Sequence, residues 1–191
     1  MYVLALVCQK GGAGKTTMAI HLAVEGHRRG LRTLLIDIDT QASAAKIMDR
    51  RGYDLVVVDT APQADRAAAQ AAQVADLVIA PIQPSIVDLD AVDATVDVCK
   101  LAGAPVIFVL NRVPTQGQEV AGTEDAIRKR GMKVSSIRWG ERKAFKYPFM
   151  RGLVAQEAEP DSKAALEVRA LFDELHITAG THVRRRSRVK V

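Results

Sequence analysis

Short apolar runs recur along the chain, each bounded by glycine, proline or charged residues, with amphipathic stretches between most of them. The runs lie at 3–8, 33–37, 55–59, 77–80, 106–110 and 134–137. They are dominated by valine, isoleucine and leucine, as in strands buried on both faces. Helical spacing predicts helices over 16–29, 65–74, 87–101 and 123–130, and a last one over about 162–175 with Asp161 or Ser162 as N-cap. In the first of these, Met18, Ile20, Leu22, Ala23 and Val24 precede a terminating Gly30. Strands alternating with helices predict an α/β fold: a mostly parallel, doubly wound sheet with helices on both faces. Between 41 and the strand at 55 only about a dozen residues remain, near the minimum for a crossover to a neighbouring parallel strand. Residues 42–51 can serve there as one short helix.

The chemistry is concentrated after the first run. Lys10-Gly11-Gly12-Ala13-Gly14-Lys15-Thr16-Thr17 joins a predicted strand to a predicted helix. Glycines let the backbone wind so that several N–H groups point inward at an anion, and the helix N-terminus adds its positive end. The spacing matches a phosphate-binding loop, although the usual first glycine falls at Gln9 and a second lysine stands at Lys10. In such a loop Lys15 sits on the β- and γ-phosphates of a nucleotide and the Thr16 hydroxyl on Mg²⁺. Asp37 and Asp39 lie at the carboxyl end of the second strand, where ligands bind in doubly wound sheets. One can hold the metal through water while the other orients an attacking water. The run 55–59 ends in Asp59, a second candidate ligand for Mg²⁺, followed by Thr60-Ala61-Pro62. Asn111 ends the fifth run. Its amide both donates and accepts, and a strand-end asparagine can cap a turn.

The string KGGAGKTT resembles the deviant phosphate loop of the ParA/MinD family of ATPases. Asp37-Ile38-Asp39-Thr40-Gln41, Asp59-Thr60-Ala61-Pro62, Pro81-Ile82-Gln83-Pro84-Ser85 and Leu110-Asn111-Arg112 follow in the family's order, so the resemblance extends to about residue 175. It implies a P-loop ATPase domain over 1–178 that binds ATP and Mg²⁺ through Gly11, Gly12, Ala13, Gly14, Lys15, Thr16, Thr17, Asn111, Asp37 and Asp59. Lys10 becomes the signature lysine, which reaches the phosphates held by a second subunit in an ATP-bound homodimer. Asp39 takes the hydrolytic role and Asp37 a metal or loop-positioning one. Thr60-Ala61-Pro62 becomes the switch that senses the γ-phosphate, Asn111 reads adenine, and Asp88 faces the dimer partner. Members of the family have a further helix and strand where 42–54 is short, so either an edge strand has been lost or residues are missing from the sequence.

Composition narrows the partners. The chain has 191 residues, 48% hydrophobic but only 4% aromatic, and a net charge of +5. No apolar run reaches the 18 or so residues of a membrane span. With no leader ahead of the first strand, the expected location is cytoplasmic, and the resemblance implies association with the nucleoid. With no extension there, sequence-specific operator binding is not expected. Cys8 and Cys99 are far apart and read as reduced core thiols. The four histidines are scattered and receive no role. Arg184, Arg185, Arg186, Arg188 and Lys190 crowd the end, and without them 22 basic and 22 acidic residues balance. Residues 179–191 therefore read as a basic tail, either a DNA-contacting feature or a solvated end. A second cluster, Arg138, Arg142, Lys143, Lys146 and Arg151, is interleaved with Trp139, Phe145, Tyr147 and Phe149, aromatics that read as core rather than as base-stacking rings. By resemblance it lies in the part of the family that touches DNA without reading sequence, though an ordinary solvated face would look the same.

The expected function is that of a ParA-like ATPase. ATP makes a dimer, the dimer binds DNA non-specifically, and slow hydrolysis is stimulated by a ParB-like protein on a plasmid, chromosome or protein cargo. A MinD-like membrane-positioning ATPase is the alternative. The valines of 183–191 supply little of the bulky apolar face such an anchor needs. A metabolic ligase or kinase on the same scaffold would need a substrate pocket for which no residues stand out.

Overall fold

The computed structural model describes residues 1–38, 52–61, 65–84, 89–115 and 119–188, and for 65, 89–91 and 176–188 the backbone alone. The element order is β1 (Tyr2–Leu6), α1 (Lys15–Arg28), β2 (Thr33–Ile38), β3 (Leu55–Thr60), α2 (Asp65–Val74), β4 (Leu77–Ile82), α3 (Leu89–Ala102), β5 (Val106–Leu110), α4 (Glu119–Lys129), β6 (Lys133–Val134), α5 (Ala155–Ala158) and α6 (Lys163–Arg188). Two 3₁₀ turns, Lys143–Phe145 and Tyr147–Arg151, lie between β6 and α5. The six strands form one sheet in the order β2-β3-β1-β4-β5-β6, and every pair is parallel.

The two-residue period of the strands divides the core. Leu4, Leu6, Leu55, Val57, Ile79 and Val109 face α1 and α6, with Met18, Leu22, Val168 and Leu171 packed on them. Val3, Ala5, Val56, Val58 and Val78 face the alanines of α2. The same side continues through Ala80, Ile82, Phe108 and Leu110 onto α3 and α4. This is the doubly wound sheet that the sequence predicts. Cys8 and Cys99 are both buried thiols, and burial pushes Cys99 up to about 12.

Three boundaries differ from expectation by three residues or more. The last strand shrinks to Lys133–Val134: the Ser135 amide still donates to the Phe108 carbonyl at 2.8 Å, and beyond it the Ser136 amide donates to Glu174 at 3.0 Å instead of to β5. The last helix runs on to Arg188, past the end predicted at about 175. No proline interrupts it, and its one internal glycine, Gly180, costs about 1 kcal/mol. The fourth helix starts at Glu119 rather than 123. Among the described residues β2 is an edge of the sheet, while the predicted helix at 42–51 lies outside them. No described helix is long and apolar enough to cross a membrane.

Candidate nucleotide site

The chain between β1 and α1 is a tight loop at the carboxyl end of the sheet, where β1 lies between β3 and β4 and the winding reverses. Gly12 and Gly14 have φ of 76° and 98°, values that favour glycine. No side chain caps α1, which leaves its first N–H groups for a ligand. Two amides hold the loop's carbonyls. Asn111 Nδ2 donates to Ala13 at 2.7 Å and Gln83 Nε2 donates to Gly12 at 3.0 Å. Lys15 is buried, and its Nζ donates to the Cys8 carbonyl at 3.1 Å. Burial lowers its pKa, while Cys8 and Asp59 oppose that. Lys10, by contrast, is exposed at the loop's mouth.

The carboxylates come from neighbouring strands. Asp37 and Asp59 are register partners on β2 and β3. Asp59 is buried, and burial raises its pKa. The bond from Thr16 opposes that rise, Asp37 adds to it, and Lys15 and the Thr60 amide oppose it further. Its Oδ1 has no hydrogen-bond partner among the described residues. A buried carboxylate oxygen left unpaired beside the exposed Thr16 hydroxyl suits a hydrated divalent cation. Thr16 and Asp59 therefore fit Mg²⁺, with Asp37 exposed at the edge of the same position. Thr60 Oγ1 donates to the Leu6 carbonyl at 2.7 Å, tying the start of the predicted switch to β1. Asp39, Pro62 and Asp88 lie outside the described residues.

A cavity of about 480 Å³ opens beside the loop, lined on that side by Gly14, Thr17, Asn111 and Arg112. Its opposite wall is the segment of Arg142, Lys143, Lys146 and Tyr147. Arg142, Lys143 and Lys146, three of the cations read from sequence as a DNA-contacting or solvated face, thus line the cleft, and two cations of the cluster are already paired. Arg142 Nε bonds Glu167 Oε1 at 3.0 Å, and Arg138 Nε bonds Glu124 at 2.7 Å. Arg151 is exposed beyond the cleft. The side chains of Arg184, Arg185 and Arg186 lie outside the described residues.

The wall is fastened to α1 by His21, a residue to which the sequence assigns no role. His21 Nδ1–H donates to the Thr17 carbonyl at 2.7 Å, and Nε2 accepts from the Ala155 amide at 3.3 Å. Around it sit Trp139, Phe145 and Phe149, with ring centroids 5.3–5.7 Å away. Burial holds its pKa down, to about 4, so it is neutral at pH 7. Its position one helical turn from Met18 and beside Leu22 is the sequence signal for such a core histidine. Arg112 follows Asn111 with φ of 52°, alone in this region among the described non-glycine residues. The Val113 amide donates to the Trp139 carbonyl at 2.9 Å and holds that turn. Sequence reasoning gave no role to Gln83 or Arg112, since contacts between distant loops carry no periodic signal, and it placed Tyr147 with the core aromatics, whereas Trp139 and Phe145 are buried and Tyr147 is exposed.

The family model described as the CobQ/CobB/MinD/ParA nucleotide binding domain matches residues 4–146. The maintenance of carboxysome distribution protein A of Gloeobacter kilaueensis is 32% identical over 200 residues, 86% of this chain and 92% of that protein. The sporulation initiation inhibitor protein Soj of Bacillus subtilis is 32% identical over 125 residues, 62% of this chain and 41% of that protein. Among solved structures, the septum site-determining protein MinD of Pyrococcus horikoshii, complexed with Mg-ADP, superposes with a TM-score of 0.74. It is 18% identical and covers 95% of this chain and 98% of that one. At that identity the likeness concerns the fold.

Proposed function

This chain belongs to the CobQ/CobB/MinD/ParA family of nucleotide-binding proteins, and on that footing we propose that it is a slow ATPase of the positioning branch. In this reading ATP binding brings two copies together, the dimer holds DNA without regard to sequence, and hydrolysis releases it. A ParB-like protein on the cargo stimulates the release. The cargo is a plasmid, a chromosome region or a protein cluster, and the protein works on the nucleoid in the cytoplasm. The family's name also covers CobQ and CobB. The relative named for carboxysome distribution, matched across 92% of its length, favours positioning.

The observation that carries the proposal is the contrast between two lysines in one loop. Lys15 is buried and fixed on the Cys8 carbonyl, where it can serve its own subunit's nucleotide. Lys10 is exposed at the mouth, where a cation can serve a neighbour's nucleotide as an arginine finger does in trans. Magnesium between Thr16 and Asp59 would neutralise charge on the β- and γ-phosphates. Asp39 orients the attacking water, Asp37 steadies the metal side, and Asn111 presents its amide towards the adenine.

Anisotropy of a random-sequence DNA duplex, titrated with the chain in ATP and in ADP, tests this directly. Binding confined to ATP is expected. Binding that ignores the nucleotide, or none at all, would remove DNA from the proposal.

A further inference from the structure

Phe145, Tyr147 and Phe149 belong to the cleft wall, and Phe145 and Tyr147 both line the cavity. Phe145 is buried, stacked on Trp139 with centroids 4.6 Å apart and planes 4° from parallel. Phe145 and Phe149 both meet His21 at 5.3 Å. Tyr147, between them, is 59% exposed and lines the cavity that Gly14 and Thr17 close from the loop side. Pro148 sits in the first turn of the 3₁₀ segment that Tyr147 begins, so the backbone presenting the ring is restricted on one side by proline. The two anchored phenylalanines restrict it on both. Lys143 Nζ lies 5.8 Å from the Tyr147 centroid, over one face of the ring.

A rigid aromatic ring left more than half exposed inside a cleft is a surface awaiting a flat partner. The phosphate loop holds a nucleotide's phosphates at Gly14 to Thr17, and the rest of that molecule must extend into the cavity beside them. We infer that Tyr147 is the stacking platform for the nucleotide base, an assignment that rests on the nucleotide-binding reading of the loop. The ring face away from Lys143 receives the base. Stacking tolerates any base, because every base has a π-face. Tyr147 therefore supplies affinity, while hydrogen-bonding groups such as Asn111 and the neighbouring backbone choose the base.

Calorimetric titration of the full chain with ADP and, separately, with inorganic tripolyphosphate tests the assignment. Tyr147→Ala should weaken ADP binding about tenfold, the scale of one lost base–aromatic stack. Tripolyphosphate binding should stay unchanged, and Tyr147→Phe should restore ADP binding. An Ala variant that binds ADP as the wild type does overturns the assignment. So does one that loses tripolyphosphate in the same proportion, or one that loses DNA binding while keeping ADP. A wild-type chain that binds neither ligand removes the nucleotide reading itself, and the platform with it.

Discussion

Gly14 and Asn111 approach so closely that a Cβ built on Gly14 would lie 2.1 Å from Asn111 Nδ2. The asparagine cannot swing aside cheaply. It is buried, and its Nδ2 donates to the Ala13 carbonyl at 2.7 Å. The backbone at Gly14 also has φ of 98°. The shape of the phosphate loop thus depends on a residue at the end of β5, on the far side of β4 from the strand that carries the loop.

Gly14→Ala should therefore destabilise the chain by about 1–3 kcal/mol through backbone strain alone, with the clash in addition. It should also abolish nucleotide binding. Asn111→Ala removes the clash but leaves the Ala13 carbonyl without its partner, at a cost of about 1–3 kcal/mol. In the double variant the two losses should fall short of additive, because the contact has gone. Urea melts of the four proteins measure this. Fully additive losses would mean the two side chains act independently.

The two lysines should separate binding from turnover. Lys15→Ala removes the cation inside the loop, and ATP binding should fall below detection. Lys10→Ala should bind ATP as the wild type does yet lose dimer-linked hydrolysis, by on the order of 10³-fold if it acts as a trans cation does. Equilibrium binding and phosphate release on the same preparations decide it. Normal turnover by the Lys10 variant would sink its role across the dimer.

Such loop residues are legible in sequence because their chemistry is local: a glycine pattern after an apolar run and before a helical period. The strands are legible for a similar reason, since a sheet covered on both faces needs unbroken apolar runs. The cleft wall is not. Residues 143–151 form 3₁₀ turns, which carry no long period, so the spacing of Arg142, Lys143 and Lys146 could not say which way each points. Reading them as one basic face missed that Arg142 is held by Glu167, a residue on another element. His21 escaped notice because its partners, the Thr17 carbonyl and the Ala155 amide, are backbone groups.

His21 should make stability depend on pH. Burial holds its pKa at about 4 in the folded chain, against 6.5 for the ordinary group. Above pH 6.5 both folded and unfolded states are neutral there, and the contribution is fully present. As pH falls below 6.5 the unfolded chain gains a proton that the folded one refuses, so stability is lost down to about pH 4. The loss is about 2 kcal/mol between pH 7 and pH 5, at 1.36 kcal/mol for each pH unit. Urea melts of the wild type and of His21→Leu over that interval should differ in slope, with the variant flatter. Parallel profiles would place the pH dependence elsewhere.

Salt dependence of DNA binding should sort the cations by whether they are already neutralised. Arg142 is bonded by two of its nitrogens to Glu167, which also accepts the Gly140 amide at 3.1 Å. Its charge is matched inside the fold, so Arg142→Ala should leave the slope of log affinity against log salt unchanged. It should instead weaken nucleotide binding, because Glu167 loses the partner that fixes the cleft wall. Lys146 is exposed, and Lys146→Ala should reduce the slope by about one if it meets a phosphate. Cutting after His182 removes Arg184, Arg185, Arg186, Arg188 and Lys190 together and should flatten the slope more than any single change. Anisotropy titrations in ATP at several salt concentrations measure all three. If Arg142→Ala lowers the slope as much as Lys146→Ala, the pair with Glu167 opens when DNA arrives, and the wall then answers to DNA as well as to nucleotide.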